Sequence, residues 1–185
     1  MKSRFNPDCG IIMNQLVTTQ ITRTNAAAIH FIHHASLLGP LIIAATAQGI
    51  CGIYFEQHKY FNGTANWRHS AAQPHLTEAA QQLDAYFSGT RKHFDLSLDL
   101  QGTPFQRSVW KQLTTIEFGA TISYGEHAQQ IGKASAVRAV GSAIGRNPVS
   151  IIVPCHRVIG RDGSMAGYAG GLDRKRFLLE MESRG

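Results

Sequence analysis

The sequence predicts an α+β/α fold in two parts: a small antiparallel sheet with one helix, followed by a mostly helical helix-turn-helix segment. Short apolar runs separated by turn residues occupy the first third of the chain, which is typical of hairpins. Apolar residues at helical spacing recur later in both halves. The pattern breaks at Gly102-Thr103-Pro104, so we place a domain boundary there, giving domains at residues 1–103 and 104–185.

Composition limits the function classes. The chain has 185 residues, 43% hydrophobic and 16% charged, enough apolar material for a core; this excludes a disordered tail or a histone-like protein. The net charge is +6, but residues 1–103 hold seven Lys or Arg against six Asp or Glu, and residues 104–185 hold eleven against six. A polyanionic partner is therefore expected at the C-terminal half.

The N-terminal half contains three strand-like runs, at residues 29–35, 41–47 and 50–55, with turn residues between them. A polar segment at 57–74 follows, and apolar spacing over 76–87 predicts a helix. We expect a small antiparallel sheet with this helix packed on it. Residues 1–28 show no strong pattern.

Helices begin the C-terminal half. Apolar spacing predicts a helix at 105–116, a short one at 126–131 and a third at 135–144, and the last two form a helix-turn-helix candidate. A strand-like run at 150–153 ends at Pro154. The predicted final helix, at 172–181, follows a glycine-rich loop and is expected to turn Leu172, Phe177, Leu178 and Met181 inward.

The chain has three cysteines, Cys9, Cys51 and Cys155, an odd number that does not suit a secreted disulfide framework. The seven histidines of the N-terminal half lack metal-ligand spacing, so we expect them to be solvated surface side chains and expect no metal site. The most apolar stretch, at 37–47, is too short to span a bilayer, and the N-terminus lacks a signal-peptide pattern. We expect a cytoplasmic protein with no membrane partner.

Cys155 lies where an apolar run stops at Pro154, with His156 and Arg157 directly after it. A neighbouring base or positive charge is what converts a thiol into a reactive thiolate. His156 can help only if the chain turns here, because adjacent residues of a strand point to opposite faces. A buried, inert cysteine is the alternative explanation.

The second helix of the helix-turn-helix candidate is rich in Ala and Gly, and only Arg138 and Arg146 extend from it. A major-groove reading helix normally carries several long polar side chains. Small residues instead permit close approach to the minor groove, where one arginine can enter the base stack. A tightly packed core helix explains this segment equally well.

The motif Pro154-Cys155-His156-Arg157-Val158, with Asn147-Pro148 before it and Gly167-Tyr168-Ala169-Gly170-Gly171-Leu172 after it, resembles the O6-alkylguanine-DNA alkyltransferases, also called methylated-DNA–protein-cysteine methyltransferases. The resemblance covers the C-terminal half and, more loosely, the N-terminal hairpins and helix. It implies a ribonuclease-H-like N-terminal domain and a winged helix-turn-helix C-terminal domain. It also implies DNA repair: irreversible, single-turnover transfer of an alkyl group from O6-alkylguanine in duplex DNA to the protein, after base flipping through the minor groove. Activity on O4-alkylthymine is left open.

The resemblance assigns chemical roles to five residues. Cys155 would accept the alkyl group, and His156 would act through a water as the base that generates the thiolate. Glu182 would orient the imidazole. Tyr124 would donate a hydrogen bond to the departing guanine, and Asn147 would tie the preceding turn to the motif.

Further residues would hold the base and the DNA. Main-chain groups of Cys155 and Val158, with the loop at Tyr168 and Ala169, would close the guanine pocket. Arg138 would fill the gap that the extruded nucleotide leaves in the duplex. The expected substrate and DNA contacts are Arg138, Tyr168, Ala169, Val158, Ala136, Ala139 and Ser142.

This sequence departs from the family pattern at a few positions. Ser150 stands where some members have proline, and Ala169 where some have serine, which leaves the range of accepted alkyl groups open. Some relatives carry zinc, but Thr46 stands where a second cysteine would be expected near Cys51. The resemblance therefore implies no metal and no cofactor.

Two other functions are considered. A non-catalytic DNA-binding protein is the first: an alkyl-damage sensor of this family lacks the acceptor cysteine, and a helix-turn-helix regulator needs a more polar reading helix. A cysteine hydrolase shares the Cys/His pair but leaves the Ala/Gly-rich helix and the basic half unexplained. Duplex DNA is the expected partner of a protein that is monomeric in solution, with cooperativity on DNA left open.

Overall fold

The computed structural model describes residues 28–185. Cys9 and the interpretation of the N-terminal segment lie outside the described residues. Within them, a sheet and one helix precede a group of four helices, in agreement with the predicted fold class.

The N-terminal sheet contains β1 (His30–His34), β2 (Leu41–Ala45), β3 (Ile50–Phe55) and β4 (Arg68–His69), in the spatial order β3-β2-β1-β4. The antiparallel pairing of the first three strands confirms the predicted hairpins. The fourth strand was not predicted and runs parallel to β1, so the sheet is mixed. This strand has two exposed polar residues, too few for an alternating pattern.

Helix α1 (Pro74–Phe87) packs its apolar face on this sheet. The Gln73 side chain caps it by accepting from the Leu76 backbone N–H at 2.9 Å, and donates to the Thr46 carbonyl of the sheet at 3.0 Å. Leu76, Ala79, Leu83 and Tyr86 are buried on this face. This spacing brings Tyr86 inward, toward the C-terminal half.

The C-terminal half contains α2 (Pro104–Leu113), α3 (Tyr124–Gln130), α4 (Val137–Gly145) and α5 (Leu172–Ser183), with one 3₁₀ turn (Ala134–Ala136) before α4. Helix α3 begins two residues earlier than predicted, because Ser123 and Glu126 form a reciprocal capping box. Helices α3 and α4 are the predicted helix-turn-helix pair.

A short parallel pair of strands forms the wing. In β5 (Ile122–Ser123) and β6 (Val158–Ile159), Ile122 pairs with Val158 and Ser123 with Ile159. β5 leads directly into α3, and β6 directly follows the Cys155–Arg157 turn. The pairing therefore brings the start of α3 beside the cysteine motif.

The prediction of a strand at 150–153 is wrong. The segment is a series of buried turns in which the Val153 N–H donates to the Val149 carbonyl at 3.0 Å. Ile151 adopts φ of 72°, which no strand residue can have. The strand was predicted from apolar composition alone. Apolar composition indicates that a segment is buried, but it does not distinguish an extended strand from buried turns.

The predicted inward face of α5 is also partly wrong. Leu178 is fully buried, but Leu172 and Phe177 are 44% and 38% exposed. Lys175 and Glu182 are buried with Leu178, at helical spacing. Hydrophobicity alone does not identify the buried face of α5, because Lys175 and Glu182 are polar and have hydrogen-bond partners inside the protein.

One hydrophobic core extends across both halves. The Ile53 N–H of β3 donates to the Pro148 carbonyl at 2.8 Å, and the Trp110 indole of α2 donates to the Ala143 carbonyl of α4 at 2.8 Å. Within residues 28–185, no helix has the length and apolar composition needed to cross a membrane. The joint core fixes the N-terminal half against the cysteine motif.

Candidate active site and DNA-binding face

Cys155 begins a single 3₁₀ turn, Cys155–Arg157, directly after Pro154. The chain is therefore not extended at this point. His156 can assist Cys155 only if the chain turns between them, and this turn meets that requirement. The thiol side chain lies in the core with only 6% of the residue exposed. Such burial excludes bulk water and leaves access to the thiol under the control of the surrounding side chains.

Asn147 organises the backbone around the thiol. Its Nδ2 donates to the Val153 carbonyl at 2.8 Å and to the Cys155 Sγ at 3.1 Å, and its Oδ1 accepts from the Val149 N–H at 3.0 Å. The side chain is 1% exposed. These bonds replace the ladder of a strand, which explains why the segment turns, and they direct a donor at the sulfur.

Glu182 of α5 is a buried acceptor for several donors. Oε1 accepts from the Tyr86 hydroxyl at 2.6 Å and from His156 Nε2 at 2.9 Å, and Oε2 accepts from Arg157 Nε at 2.8 Å. The Gly119 N–H adds a bond of 3.2 Å to Oε2. Burial alone would raise the pKa of Glu182, but these hydrogen bonds hold it well below the usual range, so the group is an anion.

The anion sets the tautomer of His156. Because Glu182 can only accept, Nε2 of His156 carries the proton, and Nδ1 has the free lone pair. Nδ1 has no hydrogen-bond partner within residues 28–185. Burial lowers the pKa of His156 despite the carboxylate, so the ring is neutral and can accept a proton through Nδ1.

Three participants were missed by the sequence analysis: Tyr86, Arg157 and Lys175. Arg157 contributes two nitrogens to Glu182, and Tyr86 reaches it from the N-terminal half. Lys175 donates from Nζ to the Val158 carbonyl at 2.6 Å and to the Ala166 carbonyl at 2.9 Å. Helical spacing could have found Lys175, since it lies seven residues before Glu182 on the same face.

Tyr124 is the first residue of α3 and is held near the thiol by the wing. Its hydroxyl donates to the Ala166 carbonyl at 3.1 Å, the same carbonyl that Lys175 contacts. Burial, and then the charge of Cys155, raise the pKa of Tyr124, so the phenol is a neutral donor. Through the pairing of β5 with β6, this donor begins the helix that starts beside the cysteine motif.

A cleft of about 500 Å³ lies between α4 and the glycine-rich loop. Its lining includes Tyr124, Arg138, Ser142, Tyr168 and Ala169. The Tyr168 ring centroid lies 6.5 Å from the His156 ring centroid, and burial raises the pKa of Tyr168 well above its usual value. The cleft has the size of a site for a small planar molecule.

Four of the expected contact residues lie along one side of α4 and the turn before it. Arg138, Ala139 and Ser142 are exposed, and Ala136 is half-buried. The buried face carries Val140, Ala143 and Ile144 instead. The helix therefore presents small residues and one arginine to solvent, which fits close backbone approach to a nucleic acid groove.

Val158 is placed differently from the other expected pocket residues. Its side chain is fully buried, and its carbonyl is occupied by Lys175. Ala169 lines the cleft, and its carbonyl accepts from the Lys59 N–H at 2.9 Å. The main-chain carbonyls of these two residues are thus held by the Lys175 side chain of α5 and by the backbone of the loop after β3.

Cys51 is the other free thiol among residues 28–185. It is buried in β3, and burial raises its pKa to about 12. Thr46, at the other position considered for zinc, donates its hydroxyl to Asp99 at 2.7 Å. In this described part, no three His, Cys, Asp or Glu side chains converge as a metal site.

The Cys155 thiol is expected to react slowly with iodoacetamide at neutral pH. Burial raises its pKa to about 11, although Asn147 and Lys175 oppose this, so the thiolate fraction should increase about tenfold per pH unit between roughly pH 7 and pH 9. Mass spectrometry of the Cys155 peptide measures the rate. A plateau near pH 7 would contradict the raised pKa, and urea-unfolded protein provides the reference rate.

Comparison with known proteins identifies both halves. Residues 29–100 match the model of the 6-O-methylguanine DNA methyltransferase ribonuclease-like domain, and residues 104–184 match that of the 6-O-methylguanine DNA methyltransferase DNA binding domain. A methylated-DNA–protein-cysteine methyltransferase of Mycobacterium tuberculosis is 47% identical over 154 residues, 83% of this chain and 92% of the relative. One from Methanosarcina barkeri is 49% identical over 148 residues, 80% of this chain and 92% of the relative.

Solved structures agree with these matches. The crystal structure of M. tuberculosis O6-methylguanine methyltransferase aligns with a TM-score of 0.77 at 46% identity, covering 84% of this chain and 93% of that one. M. tuberculosis OGT in complex with DNA aligns with a TM-score of 0.76 at 44% identity, covering 85% and 93%. Both family domains are matched in order along one chain, and the chain therefore belongs to the 6-O-methylguanine DNA methyltransferase family.

Proposed function

We propose that this chain repairs duplex DNA by transferring an alkyl group from guanine O6 to Cys155. One observation carries the assignment: a buried thiol, bonded by Asn147, adjoins a His156–Glu182 pair beside the cleft next to the Arg138 helix. Family membership supplies the reaction class. The alkyl group arrives with the DNA, so the chemistry requires no separate donor or cofactor.

The thiolate forms when His156 Nδ1 takes the Cys155 proton through a water, and Glu182 stabilises the resulting imidazolium. The sulfur then attacks the alkyl carbon. A carbon–sulfur bond forms as the carbon–O6 bond breaks, and the guanine leaves with the bond's electrons. A thioether does not hydrolyse, so each molecule reacts once.

The departing guanine gains negative charge, and Tyr124 is the proposed donor that stabilises it. A preorganised neutral donor aimed at the developing charge favours the transition state over the ground state. The Tyr124 hydroxyl contacts Ala166 in the protein alone, so the role requires exchange of this carbonyl for the base. Tyr168 and Ala169 are proposed to hold the base, together with main-chain groups of Cys155 and Val158.

The O6 group of a stacked guanine is inaccessible, so the nucleotide must leave the duplex at a cost of a few kcal/mol. Arg138 is the proposed residue that fills the gap. Its exposed position on α4, among Ala136, Ala139 and Ser142, supports insertion from the minor groove.

The amount of O6-methylguanine removed from a duplex is expected to equal the amount of protein, because the thioether is permanent. Titrating the protein with excess methylated duplex and counting the remaining methylguanine checks this. Continued removal beyond one methyl group per chain would contradict the proposal and favour a true catalyst.

Replacing Arg138 with alanine is expected to slow repair of duplex DNA more than transfer from free O6-benzylguanine base. The free base needs no extrusion, so the arginine contributes little to its reaction. Single-turnover rates on the two substrates give the comparison, with Arg176→Ala as an exposed arginine control on α5. Equal losses on both substrates would remove the proposed role of Arg138.

Three further assignments belong to the proposal. The division into domains at 1–103 and 104–185 is supported by the separate matches on either side of it. A cytoplasmic location is supported by an acceptor thiol that must stay reduced. A monomer in solution is consistent with a single-turnover reaction that uses one cysteine per chain.

A further inference from the structure

The loop after β3 brings the N-terminal half to the edge of the DNA-facing cleft. Lys59 and Tyr60 line the cleft together with Arg138 and Gly145 of α4. The Lys59 N–H donates to the Ala169 carbonyl at 2.9 Å, which fixes this loop to the glycine-rich loop. This loop belongs to the polar segment at 57–74, which carries no motif of known function.

Tyr60 has an unusual conformation at this place. Its φ is 71°, in the left-handed region that residues with a bulky side chain rarely occupy, and it is 48% exposed. A strained residue with an exposed ring needs a reason beyond packing. Such strain concentrates at ligand-binding positions.

Two cations contact the Tyr60 ring. Arg146 Cζ lies 4.5 Å from the ring centroid and Lys59 Nζ lies 5.1 Å from it. Arg146 is the C-cap of α4, so this ring joins the N-terminal half to the proposed DNA-reading helix. The aromatic ring attracts both cations and keeps each within about 5 Å of its centroid.

No carboxylate between residues 28 and 185 forms an ion pair with Lys59, Arg138 or Arg146. Cations gathered without an anion repel one another, and a bound phosphate relieves this repulsion while keeping the ring contacts. We propose that Lys59, Tyr60 and Arg146, the cleft rim, bind a backbone phosphate of the strand whose nucleotide enters the cleft. This inference rests on the proposed function.

The cleft rim extends the DNA contact beyond the helix-turn-helix. Lys59 and Arg146 supply the charge, and Tyr60 acts as a positioning residue that aligns them. The phosphate contact would anchor the strand next to the extruded nucleotide. The N-terminal half would thereby take part directly in substrate binding.

The test measures binding of a methylated duplex over a range of salt concentrations. Lys59→Ala is expected to weaken binding roughly five- to tenfold at about 0.1 M salt and to lower the slope of log Kd against log salt by about one, the effect of one lost phosphate contact. Arg68→Ala, which removes an exposed cation from β4 outside the cleft, should change neither. An unchanged salt slope in Lys59→Ala, or an equal loss of DNA affinity in Arg68→Ala, would show that the cleft rim does not bind a backbone phosphate.

Two tyrosine variants separate positioning from general folding. Tyr60→Phe keeps the ring and is expected to bind like the wild type, whereas Tyr60→Ala should lower the salt slope. Equal slopes for both variants contradict the positioning role. Removal of the methyl group from the methylated duplex is measured in parallel. If the wild-type protein binds with the rim-dependent salt slope but removes no methyl group from this duplex, the proposed function is wrong and the phosphate contact at the cleft rim still holds.

Discussion

Replacing Glu182 with glutamine is expected to destabilise the protein by about 3–5 kcal/mol, because it leaves the Arg157 cation buried without its anion. Glutamine also presents an amide N–H₂ to a site filled by donors from Tyr86, Arg157 and Gly119. The melting temperature should decrease by roughly 10 °C. Thermal and urea unfolding measure the change.

Glu180→Gln is the matched control, since it lies on the same helix, exposed, with a distant pair to Arg184 at 3.8 Å. It should alter stability by no more than about 0.5 kcal/mol. A Glu182→Gln protein as stable as this control would show that the buried ion pair makes no net contribution. Transfer should also slow in folded Glu182→Gln, because the tautomer of His156 is no longer imposed.

Replacing Cys155 with alanine is expected to abolish removal of methyl groups while leaving the fold and DNA binding in place. Alanine removes one sulfur atom, and Asn147 retains its bonds to the Val149 and Val153 carbonyls, so the stability loss should stay near 1 kcal/mol. Residual methylguanine after incubation with excess protein measures the activity. Gel-shift titration with the same duplex measures binding.

Cys51→Ala is the control for this substitution, because Cys51 is a buried thiol of the sheet outside the cleft. The Cys51→Ala protein should remove methyl groups from the duplex as completely as the wild type does. Methyl removal that persists in Cys155→Ala and stops in Cys51→Ala would move the acceptor to the sheet and contradict the proposed mechanism.

Local patterns predicted the elements with strong signals. Turn residues between apolar runs predicted the three hairpin strands, and apolar spacing over 76–87 predicted α1. Both signals are local because each element buries one face along its own length. The start of α3 was placed late, although Ser123 and Glu126 stood at capping-box spacing in the sequence. The capping-box spacing of Ser123 and Glu126 indicates that Tyr124 is the first residue of the helix.

The segment at 150–153 could not be predicted from its own residues. Its four buried residues resemble a strand, but Asn147 bonds convert it into turns, and these bonds depend on where Val153 and Cys155 lie in space. The β4 strand likewise depends on pairing with β1 and has no apolar pattern of its own.

The site was predicted in part through resemblance. Cys155, His156, Asn147 and Glu182 were named, and the structure brings them together. Tyr86 and two residues of the cleft rim, Lys59 and Tyr60, lie in the N-terminal half, more than 65 residues from Cys155 along the chain. No local spacing therefore connects them to the motif. Only the core common to the two halves brings these side chains to the site.

The most direct test of the central claim locates the transferred group by peptide mass spectrometry after reaction with a duplex containing O6-methylguanine. We expect one methyl group per chain, on the sulfur of Cys155, and none on the peptides that contain Cys9 or Cys51. A methyl group on any other residue, or a methylguanine-free duplex with an unmodified protein, would contradict it.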